Sequence, residues 1–85
     1  MLALVVTCVP EVENGTRVYL EDGISDDEFI MKAKQMYHRN LEIEKAGGYV
    51  NESKSRWNDY KWCGEIVYAD NSKLIYDVSY VAELE

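Results

Sequence analysis

Apolar and polar residues alternate in a way that predicts strands on both sides of one helix. Residues 2–9 are apolar at nearly every position, which is typical of a central strand covered on both faces. Asn14 and Gly15 follow, and both residue types tolerate the positive φ of a two-residue type I′ turn. A hairpin closed there pairs Val12 with Arg17 and continues to about residue 21.

A capping box predicts where the helix begins. Ser25 can accept the backbone N–H of Glu28, and the Glu28 side chain can reach back to the N–H of Ser25. Ile24 and Phe29 occupy the two positions of a hydrophobic staple around this cap. The chain therefore enters a helix directly after Ser25.

The helix is predicted over Asp26–Lys45 and ends at Gly47-Gly48, where glycine can adopt the left-handed conformation that closes a helix. Apolar side chains recur along it at spacings of three and four residues, which predicts one buried stripe. The stripe consists of Phe29, Ile30, Ala33, Met36, Tyr37 and Leu41.

A second hairpin is predicted after residues 49–60, which show no clean period. The apolar positions of its two strands share one face only if the turn has an odd number of residues, such as Asp70-Asn71-Ser72. The opposite face is half polar and is expected to meet solvent. The apolar face carries Trp62, Gly64, Ile66 and Tyr68 on one strand and Leu74, Tyr76, Val78 and Tyr80 on the other.

These elements predict one α+β domain over residues 1–85, in the order β-β-α-β-β. Its four-stranded, mainly antiparallel sheet carries one long helix packed on one face. The apolar opening lacks a basic region and reaches Pro10 early, which favours a buried first strand over a signal peptide and Met1 as the natural start. No apolar run approaches the ~20 residues of a membrane span, so we expect no membrane and a cytoplasmic location.

Charge is distributed unevenly along the chain, whose formal net charge is −7 and pI about 4.6. Residues 11–28 carry seven acids and one base, residues 29–62 carry seven bases and four acids, and residues 63–85 carry five acids and one base. This balance disfavours direct binding to nucleic acid, which requires positive potential facing phosphate. It favours a protein partner with a basic surface.

Residues that could carry chemistry are sparse. His38 is the single histidine, and the two cysteines, Cys8 and Cys63, fall in separate predicted strands. We therefore expect no catalytic site, no metal site and no cofactor. The cysteines are interpreted as small buried hydrophobes in a reducing compartment, and a disulfide between neighbouring strands is left open.

Two segments are candidates for partner binding. The first, residues 49–62, interleaves aromatic residues with bases, a composition found in interface hot spots and in single-strand-binding surfaces. The alternative is that its tryptophans fill the end of the core. From this segment we assign Tyr49, Arg56, Trp57 and Tyr60 to partner binding.

The second candidate is a group of acidic residues in the first third of the chain. The two early turns and the helix start could lie close together and form one compact negative patch, although solvation and helix capping also explain these residues. The acids assigned to partner binding are Glu11, Glu13, Glu21, Asp22, Asp26 and Asp27.

These features predict a non-enzymatic protein-binding module that inhibits a larger nucleic-acid-handling or host-defence protein. In size, acidity and tyrosine content the chain resembles small accessory proteins of bacteriophages and mobile elements, among them anti-CRISPR and anti-restriction proteins. One alternative is a single-stranded nucleic-acid binder that uses residues 49–62. Another is a homo-oligomer, such as a homodimer, that pairs through an exposed edge strand at Leu74–Val81.

Overall fold

The computed structural model describes residues 1–84 and forms one helix and one sheet. Two short 3-10 helices, Glu52–Lys54 and Val81–Leu84, complete the described elements. In chain order the main elements are β1 Leu2–Val9, β2 Arg17–Tyr19, α1 Asp26–Ala46, β3 Trp57–Asn58, β4 Cys63–Val67 and β5 Lys73–Tyr80.

The sheet confirms the α+β architecture, but it has five strands where four were predicted. Its order is β2-β1-β5-β4-β3, with every pair antiparallel. The additional strand, β3, spans only two residues, which is too short to display an alternating pattern. The prediction of an edge strand at Leu74–Val81 is wrong, because β5 is the central strand and pairs with β1 and β4.

The predicted helix start is confirmed. The backbone N–H of Glu28 donates to Ser25 Oγ at 3.2 Å, and three acids occupy the first turn, where they complement the helix dipole. The helix ends at Ala46, one residue later than predicted. Gly47 remains right-handed at φ −76°, and Gly48 is the glycine that adopts the positive φ, 81°.

The register predicted for the first hairpin is wrong. Arg17 pairs with Val6, not with Val12. Asn14 alone has a positive φ, 60°, in a turn closed by a Gly15 N–H to Val12 carbonyl bond of 3.0 Å. A two-residue loop would have extended the β1–β2 pairing through Pro10. Because Pro10 has no N–H to donate, the pairing instead starts on the other side of Pro10 from the turn, at Val6.

The second hairpin confirms the odd turn. Gly64 pairs with Tyr76 and Ile66 with Leu74, so the predicted residues share the face under the helix. The N–H of Tyr68 bonds the carbonyl of Ser72 at 2.9 Å, which closes a three-residue loop over residues 69–71. This loop lies one residue earlier than predicted and keeps the same parity, which is what determines the face.

Tyr37 lies at the centre of the core, between helix and sheet. Its side chain is fully buried, and its ring centroid is 5.5 Å from Tyr76 and 5.6 Å from Trp57. Its hydroxyl donates to the carbonyl of Glu65 at 2.7 Å, so the polar end of the ring is satisfied. The predicted stripe is thus confirmed, with Phe29, Ala33, Tyr37 and Leu41 buried and Ile30 and Met36 partly buried.

The helix covers one face of the sheet only. On β1, Leu2, Leu4 and Val6 are buried beneath it, whereas on the other face Ala3 is buried and Val5 and Thr7 are partly exposed. The predicted interior position of this strand in the sheet is confirmed, whereas burial on its second face is complete only at Ala3.

The two cysteines lie on opposite faces of the sheet. Cys8 lines a cavity on the helix side, whereas Cys63 pairs with Asp77 on the open face and β5 separates their strands. Both are free and only partly buried. Because their side chains point in opposite directions, a disulfide between them is ruled out by geometry.

Alkaline pH is expected to destabilise the fold through its tyrosines. Burial raises the pKa of Tyr37 from 10.0 to about 12 and also raises the pKa of Tyr68 and Tyr76. The folded state thus favours the neutral phenols, so their stabilisation is complete below pH 10.0 and is lost as the pH rises through about 12. Urea unfolding across this pH range measures the loss of unfolding free energy. Tyr37→Phe should make that loss smaller, because the variant lacks the phenol that titrates. An unfolding free energy that stays constant from pH 9 to 12 would contradict this account.

Candidate partner-binding surface

Antiparallel pairing determines which loops meet at each end of the sheet. Leu2 of β1 pairs with Tyr80 of β5, and β4 begins at Cys63 opposite Asp77 of β5. The start of β1, the end of β5 and the start of β4 therefore share one end. The helix also begins there, because Phe29 and Leu2 line the same cavity. We call this the helix-start end.

Three of the predicted acids meet at the helix-start end. Glu21, Asp22 and Asp26 line a cavity of about 210 Å³ beside Leu2. Asp27 follows in the first helical turn and is exposed. Four of the six assigned acids, Glu21, Asp22, Asp26 and Asp27, thus lie around one corner of the molecule, which we call the acidic corner.

The other two acids lie elsewhere. Glu11 and Glu13 follow Val9 at the far end of β1, and an eight-residue strand places that end about 23 Å away. The prediction of a single compact patch containing all six acids is therefore wrong. The reason is the hairpin register, because β2 pairs only with residues 4–6 of β1, and the connection that carries Glu11 and Glu13 follows the far end of that strand.

Ion pairing leaves the corner negative. Glu21 bonds Lys32 at 2.9 Å, and this hydrogen bond raises the pKa of the lysine. Among the ion pairs of residues 1–84, none involves Asp22, Asp26 or Asp27. These three carboxylates remain available to a cationic partner.

The β3–β4 turn presents Tyr60 at the same end. Its side chain is 98% exposed, whereas its backbone is held in place. The Asn58 side chain accepts the N–H groups of Tyr60 and Lys61 at 2.9 and 3.1 Å. Asp59 bonds Lys34 of α1 at 2.9 Å, which lowers the pKa of Asp59 and ties the turn to the helix. Tyr60 is therefore an exposed aromatic ring on a fixed support.

Trp57 lies mainly in the core. Its ring packs on Tyr37, and its Nε1–H is buried with no acceptor in hydrogen-bond geometry among residues 1–84. The indole N–H lies near Asp59, whose pKa is lowered first by Lys34 and to a smaller extent by this N–H. A contact between Trp57 and a partner stays a prediction.

The two remaining assigned residues lie away from the helix-start end. Tyr49 is 73% exposed, and its carbonyl accepts the N–H of Ala69 at the opposite end of the sheet. Arg56 is exposed, and its carbonyl accepts the N–H of Glu65, midway along the β4 edge. The structure therefore does not combine Tyr49, Arg56 and Tyr60 into one surface.

Sequence reasoning missed Tyr80 as a surface residue. Strand alternation assigned it to the buried face, yet it is 45% exposed at the last position of β5. Its ring packs edge-on against Trp62 at 6.3 Å, between the acidic corner and the Tyr60 turn. The available sequence signal was its place as the last apolar position of the last strand in the chain, since side chains at strand ends are often exposed.

No group of three or more potential metal ligands is assembled within residues 1–84. The helix of this part of the chain is not long and apolar enough to cross a membrane. Comparison with protein-family models, with curated proteins and with solved structures finds no match to this chain.

Proposed function

We propose that this chain is a non-enzymatic protein-binding module that places its helix-start end on a basic surface of a larger protein. The main support is that Asp22, Asp26, Asp27 and Tyr60 share this end. Five strands make the sheet about 19 Å wide, and a standard interface covers about 800 Å² per partner. One partner can therefore contact the acidic corner and Tyr60 together.

The two parts of this surface have different tasks. Unpaired carboxylates raise the rate of encounter with a basic surface, because their attraction acts over the Debye length of about 8–10 Å. Tyr60 supplies the slowly dissociating contact, since a rigid tyrosine buries a large ring at a low cost in entropy. Its fixed backbone reduces that cost further.

The partner class we propose is a nucleic-acid-handling or host-defence protein in the cytoplasm. Such proteins carry basic surfaces that receive phosphate groups. A module with three unpaired carboxylates at one corner competes for such a surface. Occupying it would inhibit the partner by exclusion, without any chemistry on the part of this chain.

The geometry gives less support to single-stranded nucleic-acid binding. Stacking platforms need several exposed rings along one basic groove. Here Tyr49 and Tyr60 lie at opposite ends of the sheet, and Trp57 lies between them against the core. A polarisation titration with fluorescent oligonucleotides at low salt checks this point, and saturable binding there would reverse the preference.

Tyr60→Ala is expected to weaken partner capture by about 2 kcal/mol, which is about 30-fold in affinity. Tyr49→Ala is the matched control, because it removes an equally large exposed ring at the other end of the sheet. Tagged wild-type and variant proteins are used to capture partners from host lysate, followed by mass spectrometry and titration of the captured protein. If both variants bind the captured partner with equal affinity, Tyr60 does not contribute to the interface.

A second pair of variants tests the acidic corner. Asp22→Lys with Asp27→Lys should slow association and flatten its salt dependence. Glu11→Lys with Glu13→Lys changes the net charge equally at the far end and should have a smaller effect. If both double variants slow association to the same extent, net charge is responsible and the corner is not the contact.

A further inference from the structure

The outer edge of β2 is an unpaired strand edge with exposed apolar residues. β2 is the last strand on its side of the sheet, so within residues 1–84 only its inner edge is paired, with β1. Val18 is 54% exposed and Leu20 58%. Segment 16–20 contains one charged residue, Arg17, and no lysine or proline, the residues that most commonly protect such edges.

The other edge of the sheet is better protected. β3 spans only two residues, and it lies between Arg56 and the ion-paired Asp59. Short strands and flanking charges are two of the usual devices that prevent strand pairing. β2 is only one residue longer than β3 and carries one charge, Arg17, but it has the exposed apolar side chains that the β3 edge lacks, so it is the edge better suited to accept another strand.

We propose that two copies of this chain pair antiparallel along β2, about a two-fold axis at Val18. The sequence is self-complementary in this register. The Val18 side chains of the two copies lie opposite each other on the open face. Each lies beside Val5 of its own copy, with which it pairs on β1. On the helix side, Arg17 lies opposite Tyr19 of the second copy, which places a guanidinium beside an aromatic ring.

Pairing satisfies backbone groups and covers apolar surface together. A two-fold ribbon of this length forms about four backbone hydrogen bonds between the copies. Tyr19 and Leu20 also line a mainly apolar cleft of about 200 Å³ between β2 and α1, and the second copy lies along its outer side. The two five-stranded sheets become one continuous sheet, an isologous arrangement that closes as a dimer.

Sedimentation of the full chain over a range of concentrations tests this dimer. Val18→Lys should weaken dimerisation at least tenfold, since the two-fold axis places the new lysines directly opposite each other. Tyr49→Lys is the control, because Tyr49 is 73% exposed and its carbonyl accepts the N–H of Ala69 after β4, which β5 and β1 separate from β2. Circular dichroism verifies that both variants fold. A wild-type protein that remains monomeric at about 1 mM overturns the proposal, as do equal dimer affinities of the two variants.

The dependence on salt concentration distinguishes dimerisation from binding to the proposed partner. Two copies that each carry a net charge of −7 repel one another, so dimerisation should strengthen as salt is added. Binding to a basic partner should weaken under the same conditions. A dimer that dissociates as salt is added would contradict the apolar, backbone-paired interface. Val18→Lys should still capture the partner, so either proposal can fail without the other.

Discussion

Tyr37→Ala is expected to destabilise the domain by about 4 kcal/mol, within the range found for removal of a large buried ring. Tyr37 is fully buried between Tyr76 and Trp57, so its loss leaves a cavity that the surrounding rings cannot fill without leaving their positions. Small domains are stable by about 5–15 kcal/mol, so this variant should be marginally folded at room temperature. Urea denaturation followed by circular dichroism measures the change.

Tyr37→Phe separates the ring from its hydroxyl. This variant keeps the packing and removes only the hydrogen bond to the carbonyl of Glu65, so the expected loss is about 1–2 kcal/mol. If Tyr37→Ala lowers the unfolding free energy no more than Tyr37→Phe does, the ring does not organise the core. That outcome would also weaken the proposed surface, because Tyr37 supports Trp57, the first residue of the strand that leads to Tyr60.

Gly64→Val is expected to destabilise the domain by about 3 kcal/mol through overpacking. A Cβ at Gly64 would lie 2.8 Å from Cε3 of Trp57 and 2.9 Å from two ring carbons of Tyr37. Both rings are enclosed by other core residues, and each must shift if a side chain is to fit. Thermal unfolding of the variant against wild type measures the loss.

A double-mutant comparison checks the physical reason. Gly64→Ala should cost less than Gly64→Val because it adds only the Cβ. Combining Gly64→Val with Trp57→Leu should cost less than the sum of the two single changes, since the smaller side chain makes room. Strict additivity would show that the contact with Trp57 is not the source of the loss.

These core contacts position the proposed binding surface. Trp57 pairs with Gly64 and packs on Tyr37, and the turn that carries Tyr60 follows directly after β3. The Lys34–Asp59 pair ties that turn to the helix, but exposed ion pairs of this kind stabilise weakly. Packing beneath β3 is therefore the main support for the position of Tyr60.

Local chemistry was sufficient to predict the helix and the second hairpin. The Ser25 cap acts within four residues, so sequence spacing alone identified it. The second hairpin has a short turn and a strict apolar alternation, and one parity then brings both apolar sets to the same face. Four of the six assigned acids lie at the helix start because they adjoin that cap in the sequence.

The tertiary structure decided the features that depend on distant parts of the chain. The register of β2, the existence of β3 and the burial of Trp57 arise from packing against β1, β4 and Tyr37, which no local pattern reports. The same is true of the ends of the sheet, where chain direction separates Tyr49 from Tyr60. By itself the sequence determined the helix and four of the five strands, because capping and periodicity act over a few residues. Only strand order and register decided which exposed side chains share a surface, because these depend on contacts between residues far apart in the sequence.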